Sequence, residues 1–117
     1  MKLKSFKFAI EGIKKTIKTE MTFRVMLVAL LIVVALGFLL CINAIQWSII
    51  LICCAGVLAL EMINTAIEAL VDLITDDHHE LAEKVKDISA GLVLIFSIFA
   101  TIIGLIIFIP YILDLFK

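Results

Sequence analysis

Charged residues are absent from two long parts of this 117-residue sequence. None occurs between Val25 and Leu60, a run of 36 residues, or between Ile88 and Leu113, a run of 26 residues. The sequence also contains no Gly/Ser-rich linker, no low-complexity tract and no internal repeat. These absences argue against several domains joined by flexible segments, and they favour a single domain.

Several common functional motifs are missing as well. The sequence contains no G-x-x-x-x-G-K-[ST], G-x-G-x-x-G, G-x-S-x-G or H-E-x-x-H pattern, so any nucleotide must be bound without a known phosphate loop. The three cysteines lie in apolar runs without disulfide or metal-site spacing, and we expect them to be packing residues. His78 and His79 are adjacent and would point about 100° apart on a helix, which argues against a zinc site.

Apolar residues dominate the composition. Hydrophobic residues make up 64% of the chain, compared with roughly 45–50% in an ordinary globular domain. A chain of this length has too little interior to hide that much apolar surface from water. The excess is therefore expected to face lipid.

The two uncharged runs predict how the chain crosses the membrane. A membrane-spanning helix needs about 20 apolar residues, so the first run suits two crossings and the second suits one. The polar segment 43–48 fits a tight turn, and Trp47 suits a membrane interface. We predict an all-α membrane protein with an N-terminal helix and three spans, the last ending near Pro110. The predicted segments are the helix at 1–24, spans at 25–43, 47–75 and 88–110, and a connection at 76–87.

Lysine and arginine predict the orientation of these spans. Residues 1–24 contain seven of the ten, and the connection at 76–87 contains Lys84 and Lys86. The turn after the first span contains none. Because cytoplasmic segments are enriched in lysine and arginine, we expect the N-terminus and this connection to be cytoplasmic.

The first segment has the pattern of an amphipathic surface helix. Spacings of three and four residues place its apolar side chains on one stripe, formed by Leu3, Phe6, Ile10, Ile13 and Ile17. With lysines over much of its other surface, the helix is expected to lie in the interface of an anionic membrane. The same spacing then reaches Glu20 and Arg24. These two residues either form an i, i+4 ion pair or place a charge toward the protein.

A polar stripe marks the second span. At about 100° per residue, one arc of roughly 100° contains Glu61, Asn64, Thr65, Glu68 and Asp72. If Asp72 marks the interface, Glu61 lies about 16 Å along the axis from it, well inside the hydrocarbon. A carboxylate there costs at least about 2.5–3.5 kcal/mol on insertion scales. The stripe is either a functional site or a set of interhelical hydrogen bonds that fixes an oligomer.

The sequence resembles the small bacterial integral-membrane lipid kinases, a family that includes prokaryotic diacylglycerol kinase and the undecaprenol kinase of Gram-positive bacteria. The resemblance extends from about Lys4 to Pro110. It rests on Glu61-Met-Ile-Asn-Thr-Ala-Ile-Glu68, His78-His-Glu-Leu-Ala82, Lys86-Asp87 and Ala90-Gly91. Closer similarity to the undecaprenol kinase branch comes from Asp72-Leu-Ile-Thr75, the histidine pair and Gly104-Leu-Ile-Ile-Phe-Ile-Pro110.

This resemblance implies a set of site residues and an assembly. Glu61 matches the proposed catalytic base, and Glu20 and Glu68 match the ligands of Mg²⁺ bound to ATP. Five further matches concern the nucleotide region: Asn64 supports the site, Lys86 and Asp87 contact the nucleotide, and Asp77 and His79 approach it. The resemblance also implies a homotrimer. Some relatives carry an acid where this chain has Met26, so we assign that position no role.

The expected function is ATP- and Mg²⁺-dependent phosphorylation of a lipid alcohol in the bacterial inner (plasma) membrane. Undecaprenol, giving undecaprenyl phosphate, is the expected substrate, and diacylglycerol, giving phosphatidic acid, is the alternative. The expected partners are ATP, the lipid alcohol, membrane lipids and further copies of the chain, without nucleic acid. A small proton-coupled transporter in which Glu61 cycles protons is a more distant alternative, as is a structural membrane subunit.

Overall fold

The computed structural model describes residues 2–117 and consists of four helices with short connections. In chain order these are α1 (Leu3–Thr19), α2 (Met21–Leu40), α3 (Ala44–Ile74) and α4 (Glu80–Asp114). The last three are each long and apolar enough to cross a membrane. The prediction of an all-α membrane protein with three membrane-spanning helices is therefore confirmed.

A tight turn joins α2 to α3 and fixes where α3 begins. Cys41 adopts the left-handed conformation (φ 54°, ψ 51°) that commonly ends a helix. The Asn43 side chain accepts a hydrogen bond from the Gln46 backbone N–H at 2.9 Å, and the Asn43 N–H donates to the Gln46 side chain at 3.0 Å. This reciprocal cap stabilises the first turn, so α3 begins at Ala44, within the segment that the sequence predicts as a turn.

The connection between α3 and α4 is shorter than the predicted 76–87 segment. Thr75 ends α3, and α4 begins at Glu80 because His79 caps it, its Nδ1 accepting the Leu81 N–H at 3.2 Å. Glu80 and Glu83 lie in the first turn of α4, where acidic side chains interact favourably with the helix dipole. Residues 80–87 are therefore helical, and they extend α4 before its uncharged run.

The expectation that Pro110 ends the last helix is wrong. α4 continues through Pro110 to Asp114. A proline removes one backbone donor, and packing around it can hold the helix together in a membrane. Here Phe108 is buried on one side of the proline, and on the other side the Tyr111 hydroxyl donates to Gln46 Oε1 at 2.6 Å.

The apolar core lies at the end of the molecule where α2 turns into α3, which we name the turn end. Its buried side chains come from three parts of the chain: Ile42, Ile50, Ile107 and Phe108. Trp47 packs against this cluster, and its ring also lies 4.9 Å from that of Phe38. This cluster fixes the end of α4 against the turn.

The opposite end, where α3 meets α4, is named the connection end and contains the buried polar groups. Among residues 2–117, four polar side chains are buried: Thr16, Glu61, Asn64 and Ser89. They come from α1, α3 and α4, and all lie on the parts of these helices toward the connection end. Buried polar groups need partners or a function, so this end is the place to look for a site.

Close packing of α3 on α4 joins the two ends. α3 makes its most extensive contact with α4, and α2 packs mainly on α3. A Cβ added at Gly56 of α3 would overlap the Phe96 ring of α4. Because glycine has no side chain, the Phe96 ring can pack directly against the backbone of α3. This close packing brings the polar stripe of α3 toward the first turns of α4.

Most of the apolar surface of the spans faces outward. The most apolar stretch of α2 is only 11% buried, and the corresponding stretches of α3 and α4 are 22% and 17% buried. A water-soluble chain would have to bury this surface. The exposed helix faces therefore suit lipid or other membrane-embedded helices, as expected for a membrane protein.

Candidate active site

The polar stripe of α3 is turned toward the inside of the molecule. Glu61 is 6% exposed and Asn64 is 8% exposed. The Asn64 Nδ2 group donates to Glu68 Oε1 at 3.3 Å, and the Thr65 hydroxyl donates to the Glu61 carbonyl at 2.9 Å. Asn64 thus orients the Glu68 carboxylate on the same helix face that carries Glu61.

Glu20 joins this stripe from the N-terminal part of the chain. It is the only residue between α1 and α2, and its backbone is extended (φ −111°, ψ 108°). The negative charges of both Glu68 and Glu20 act on the Glu61 carboxylate. Glu20 and Glu68 are therefore near enough for their charges to act on Glu61 within a single subunit.

Of the two alternatives for Glu20 and Arg24, the structure does not show the ion pair. The Arg24 guanidinium donates to the carbonyl oxygens of Ile17 at 2.7 Å and Lys18 at 3.0 Å. Within the described part of the chain, no ion pair involves Glu20. Glu20 thus keeps an unneutralised carboxylate beside Glu61.

The length of α2 sets the level of this cluster in the membrane. Its 20 residues span about 30 Å, which is the thickness of the hydrocarbon core. Glu20 directly precedes α2, and its charge acts on Glu61, so Glu61 lies toward the end of α2 that Glu20 marks. α3 continues as a helix from Glu61 to Ile74, so the depth of Glu61 depends on where the membrane boundary crosses this helix, and its position inside the hydrocarbon stays a prediction.

Lys86 adds a positive charge to the acidic cluster. Its Nζ lies 2.6 Å from Asp72 Oδ1. Lys86 precedes the uncharged run of α4, and its hydrogen bond with Asp72 raises the pKa of the ammonium group above its usual value. The charge of Glu68 acts on Lys86 in the same direction, which places Lys86 beside both acids.

A polar cavity of about 330 Å³ opens at the α3–α4 connection. Three of the predicted nucleotide contacts line it, namely Asp77, His79 and Lys86. The lining also contains Asp72, Asp76 and Glu83, so the cavity is mostly acidic. Asp87 is exposed and does not line this cavity, and the structure does not bring it together with the other predicted contacts.

The oxygen atoms of the site fit a cation that is also bound by ligands from outside the protein. Within residues 2–117, no three side chains of His, Cys, Asp or Glu are placed to hold a metal by themselves. Mg²⁺ uses only one or two carboxylates when phosphate oxygens and water complete its shell. The Asn64 Oδ1 atom is buried and has no protein partner, which leaves an acceptor beside Glu68.

An apolar cavity of about 540 Å³ lies between α2, α3 and α4. Leu58 lines it, one helical turn before Glu61, and Met26 and Ser97 lie on its other sides. From there the cavity continues to Ile50 and Phe108 at the turn end. An apolar chain lying in it would therefore reach the acidic cluster at one end.

Sequence reasoning missed one contact and two buried residues of this region. Asp72 was placed on the polar stripe without a partner, and only packing of α3 on α4 reveals Lys86 beside it. Thr16 and Ser89 are buried at 8% and 3% exposure. Thr16 lies four residues before Glu20, a spacing that could have identified it as inward-facing, whereas nothing in the sequence distinguishes Ser89.

Comparison with known proteins identifies the chemistry of this cluster. Residues 7–108 match the family model described as prokaryotic diacylglycerol kinase. The chain belongs to the prokaryotic diacylglycerol kinase family. It is therefore a lipid kinase of the membrane, and the transporter and structural-subunit alternatives are not supported.

Curated members of this lipid kinase family include enzymes with different substrates in their names. This kinase is 47% identical over 107 residues to the undecaprenol kinase of Bacillus subtilis, a match covering 92% of this chain and 87% of the relative. It is 35% identical over 114 residues to a diacylglycerol kinase of Synechocystis, covering 97% and 65% of the two chains. It is 33% identical over 100 residues to a diacylglycerol kinase of Escherichia coli K12, covering 86% and 82%.

Proposed function

We propose that this kinase transfers the γ-phosphate of ATP to undecaprenol, giving undecaprenyl phosphate and ADP. The observation that carries this substrate is the 47% identity to an undecaprenol kinase over 92% of the chain. Identity to the diacylglycerol kinases is 35% and 33%. Diacylglycerol, giving phosphatidic acid, is the second candidate because those relatives and the family model carry its name.

Glu61 is the proposed catalytic base. Phosphoryl transfer forms a bond between the lipid hydroxyl oxygen and the γ-phosphorus, breaks the bond to the β-phosphate oxygen, and releases the hydroxyl proton. Glu61 is buried, and its carboxylate can accept that proton. Removal of the proton makes the alcohol oxygen a better nucleophile.

Glu20 and Glu68 are the residues proposed to hold Mg²⁺. They are two carboxylates beside Glu61 without a third side-chain ligand, which suits a metal bound partly through nucleotide phosphates. When bound, Mg²⁺ neutralises charge on the β- and γ-phosphates. Asn64 donates to Glu68 and orients its carboxylate.

The nucleotide is proposed to lie at the α3–α4 connection. Lys86 supplies a point charge for phosphate, and Asp77 and His79 line the same cavity. Because this cavity is acidic, a nucleotide polyanion binds there only together with a divalent cation, which is consistent with the metal requirement. A contact from Asp87 is carried over from the family resemblance, and its exposed position in the free protein leaves it open to a ligand.

The lipid tail is proposed to lie along the apolar cavity that starts one turn from Glu61. Its lining is apolar from Leu58 to Phe108 apart from Ser97 and Thr101. A polyisoprenoid placed there has its hydroxyl group at the level of the acidic cluster. This arrangement supports a long-chain alcohol as the phosphate acceptor.

The proposed arrangement is a homotrimer in the bacterial inner membrane with the connection end in the cytoplasm. The apolar stripe of α1 is exposed, with Leu3 at 91% and Phe6 at 57%. Such a stripe suits a helix lying on the membrane surface. The weakly buried spans leave room for contacts between subunits. Native mass spectrometry in detergent is expected to give three times the subunit mass of 13.0 kDa.

A lipid comparison tests the substrate. Purified protein in detergent receives labelled ATP, Mg²⁺ and either undecaprenol, diacylglycerol or a long-chain alkanol without isoprene units. We expect label to enter undecaprenol with at least tenfold higher kcat/KM than diacylglycerol, a difference of about 1.4 kcal/mol in transition-state binding. Circular dichroism confirms that the protein is helical in each assay.

Two results would contradict this assignment. Preference for diacylglycerol would make the chain a diacylglycerol kinase, and equal use of the alkanol would show that the isoprene chain is not recognised. Absence of label in every lipid, with folded protein and Mg²⁺ present, would argue against the assigned catalytic cluster.

A further inference from the structure

The proposed metal ligand Glu20 is also the hinge between two helices. α1 ends at Thr19 and α2 begins at Met21, so Glu20 alone joins them. Its N–H donates to the Thr16 carbonyl at 2.9 Å, and its own carbonyl accepts the Arg24 N–H at 3.2 Å. Rotation about φ or ψ of this one residue changes the angle between α1 and α2 and moves the Glu20 side chain.

Arg24 connects the two helices across this hinge. It lies in the first turn of α2, and its guanidinium reaches back to the last turn of α1, where NH1 bonds the carbonyls of Ile17 and Lys18. These carbonyls carry the negative end of the α1 dipole, which a cation stabilises. A side chain of α2 therefore bonds to the end of α1 across the hinge.

We propose that Arg24 is a positioning residue that fixes the α1–α2 hinge and so holds the Glu20 carboxylate near Glu61. This inference rests on the proposed role of Glu20 in holding Mg²⁺. Arg24 does not contact the reacting atoms. By bonding carbonyl oxygens rather than Glu20, it fixes the hinge without neutralising the carboxylate.

The alternative is that Arg24 only stabilises the end of α1. In that case its loss would lower helix stability in general, and all kinetic constants would change together through the fraction of folded enzyme. A positioning role predicts a selective change, in which the Mg²⁺ requirement increases and recognition of the lipid does not. The two roles are therefore separable by kinetics.

The main variant is Arg24→Gln, assayed at saturating ATP and lipid with Mg²⁺ varied. The Mg²⁺ concentration for half-maximal rate is expected to increase roughly tenfold, the scale of one lost charge-assisted hydrogen bond. The KM for the lipid is expected to change less than about twofold. Arg24→Lys keeps the charge but lacks the planar fork, so an intermediate increase is expected.

Two control variants remove a similar group near the hinge, either a side-chain hydrogen bond or a positive charge, without removing a bond between α1 and α2. Thr19→Ala removes a side-chain bond to the Lys15 carbonyl in the same turn of α1. Lys18→Gln removes one positive charge from that turn. Both are expected to keep the Mg²⁺ dependence of the unmodified protein.

Hydrogen exchange of the nucleotide-free chain gives a readout that does not depend on activity. Arg24→Gln is expected to accelerate amide exchange at residues 16–24 and to leave α3 unchanged, whereas Thr19→Ala does not alter residues 20–24. If Arg24→Gln does not fold, the same measurements on Arg24→Lys decide the question.

The outcomes separate this inference from the proposed function. Unchanged Mg²⁺ dependence in a folded Arg24→Gln protein, with or without faster exchange, would overturn the positioning role. Proportional changes in every kinetic constant would also overturn it. Glu20→Gln serves as the reference, because an unaltered Mg²⁺ requirement in that variant would remove the metal-holding role of Glu20 itself, whatever Arg24 does to the hinge.

Discussion

At the scale of single residues, the site is a group of like charges held close together. The charges of Glu20 and Glu68 both act on the buried Glu61, whereas the cations of this region bond elsewhere, Lys86 to Asp72 and Arg24 to the α1 carbonyls. Like charges at short distance destabilise the folded state. The free protein therefore tolerates repulsion that a bound cation and its nucleotide relieve, which is typical of a functional site.

Replacing Glu61 by Gln separates catalysis from stability. We expect Glu61→Gln to lower the rate of lipid phosphorylation at least about 100-fold, because the amide cannot accept the hydroxyl proton. The thermal stability of the nucleotide-free protein is expected to remain equal or increase, since one of three repelling charges is removed. Initial rates and thermal unfolding in detergent measure the two effects.

Asp114→Asn is the matched control for this substitution, because Asp114 lies at the far end of α4, where it pairs with Lys117. It is expected to keep the full rate. A Glu61→Gln protein that retains the rate of the unmodified chain would remove the role of Glu61 as base.

At the scale of helices, length decides where the chemistry lies. α3 has 31 residues and α4 has 35 residues, or about 46 and 52 Å, whereas the hydrocarbon core is about 30 Å thick. The excess extends α3 past Glu61 and places the first turns of α4 beside it. The length beyond one crossing thus carries the polar cavity at the α3–α4 connection.

Close contact of α3 with α4 depends on Gly56. We expect Gly56→Ala to destabilise the protein by about 1–3 kcal/mol, because the added methyl group overlaps the Phe96 ring and forces the helices apart. Adding Phe96→Leu to the same chain is expected to recover part of this loss. Unfolding by denaturing detergent, followed by circular dichroism, measures both effects.

Gly104→Ala is the control for this pair. A Cβ at Gly104 meets no atom within 4 Å, so stability is expected to stay constant or increase by up to about 1 kcal/mol through helix propensity. Equal effects of the two alanine substitutions would show that Gly56 does not set the helix spacing.

At the scale of the whole molecule, the turn end is mainly apolar and the connection end is mainly polar. The turn end contains the apolar core and the Tyr111–Gln46 hydrogen bond. The connection end contains the four buried polar side chains and the polar cavity. The apolar packing that holds the helices together at the turn end is therefore separate from the polar groups of the site.

Native Cys41 tests the direction of the two ends in the membrane. Cys41 is exposed at the turn end, whereas Cys53 is buried. If the connection end is cytoplasmic, a membrane-impermeant maleimide applied to spheroplasts is expected to label Cys41 from outside. A His78→Cys, Cys41→Ala variant is expected to react only after the membrane is opened. The reverse pattern of labelling would invert the proposed topology.

The sequence by itself determined the features that depend on neighbouring residues along the chain. The charge-free runs determined three spans, and 3.6-residue periodicity placed Glu61, Asn64 and Glu68 on one face. It misjudged the end of α4 at Pro110, because local rules do not include packing at the turn end.

Only the tertiary structure decided which distant residues meet. It placed Glu20 beside Glu61, directed Arg24 to the α1 carbonyls rather than to Glu20, and brought Lys86 to Asp72. These contacts depend on a one-residue hinge and on the close approach of α3 and α4 at Gly56. Hydropathy and periodicity describe one helix at a time, whereas the angle and register between helices are set by side-chain packing across them.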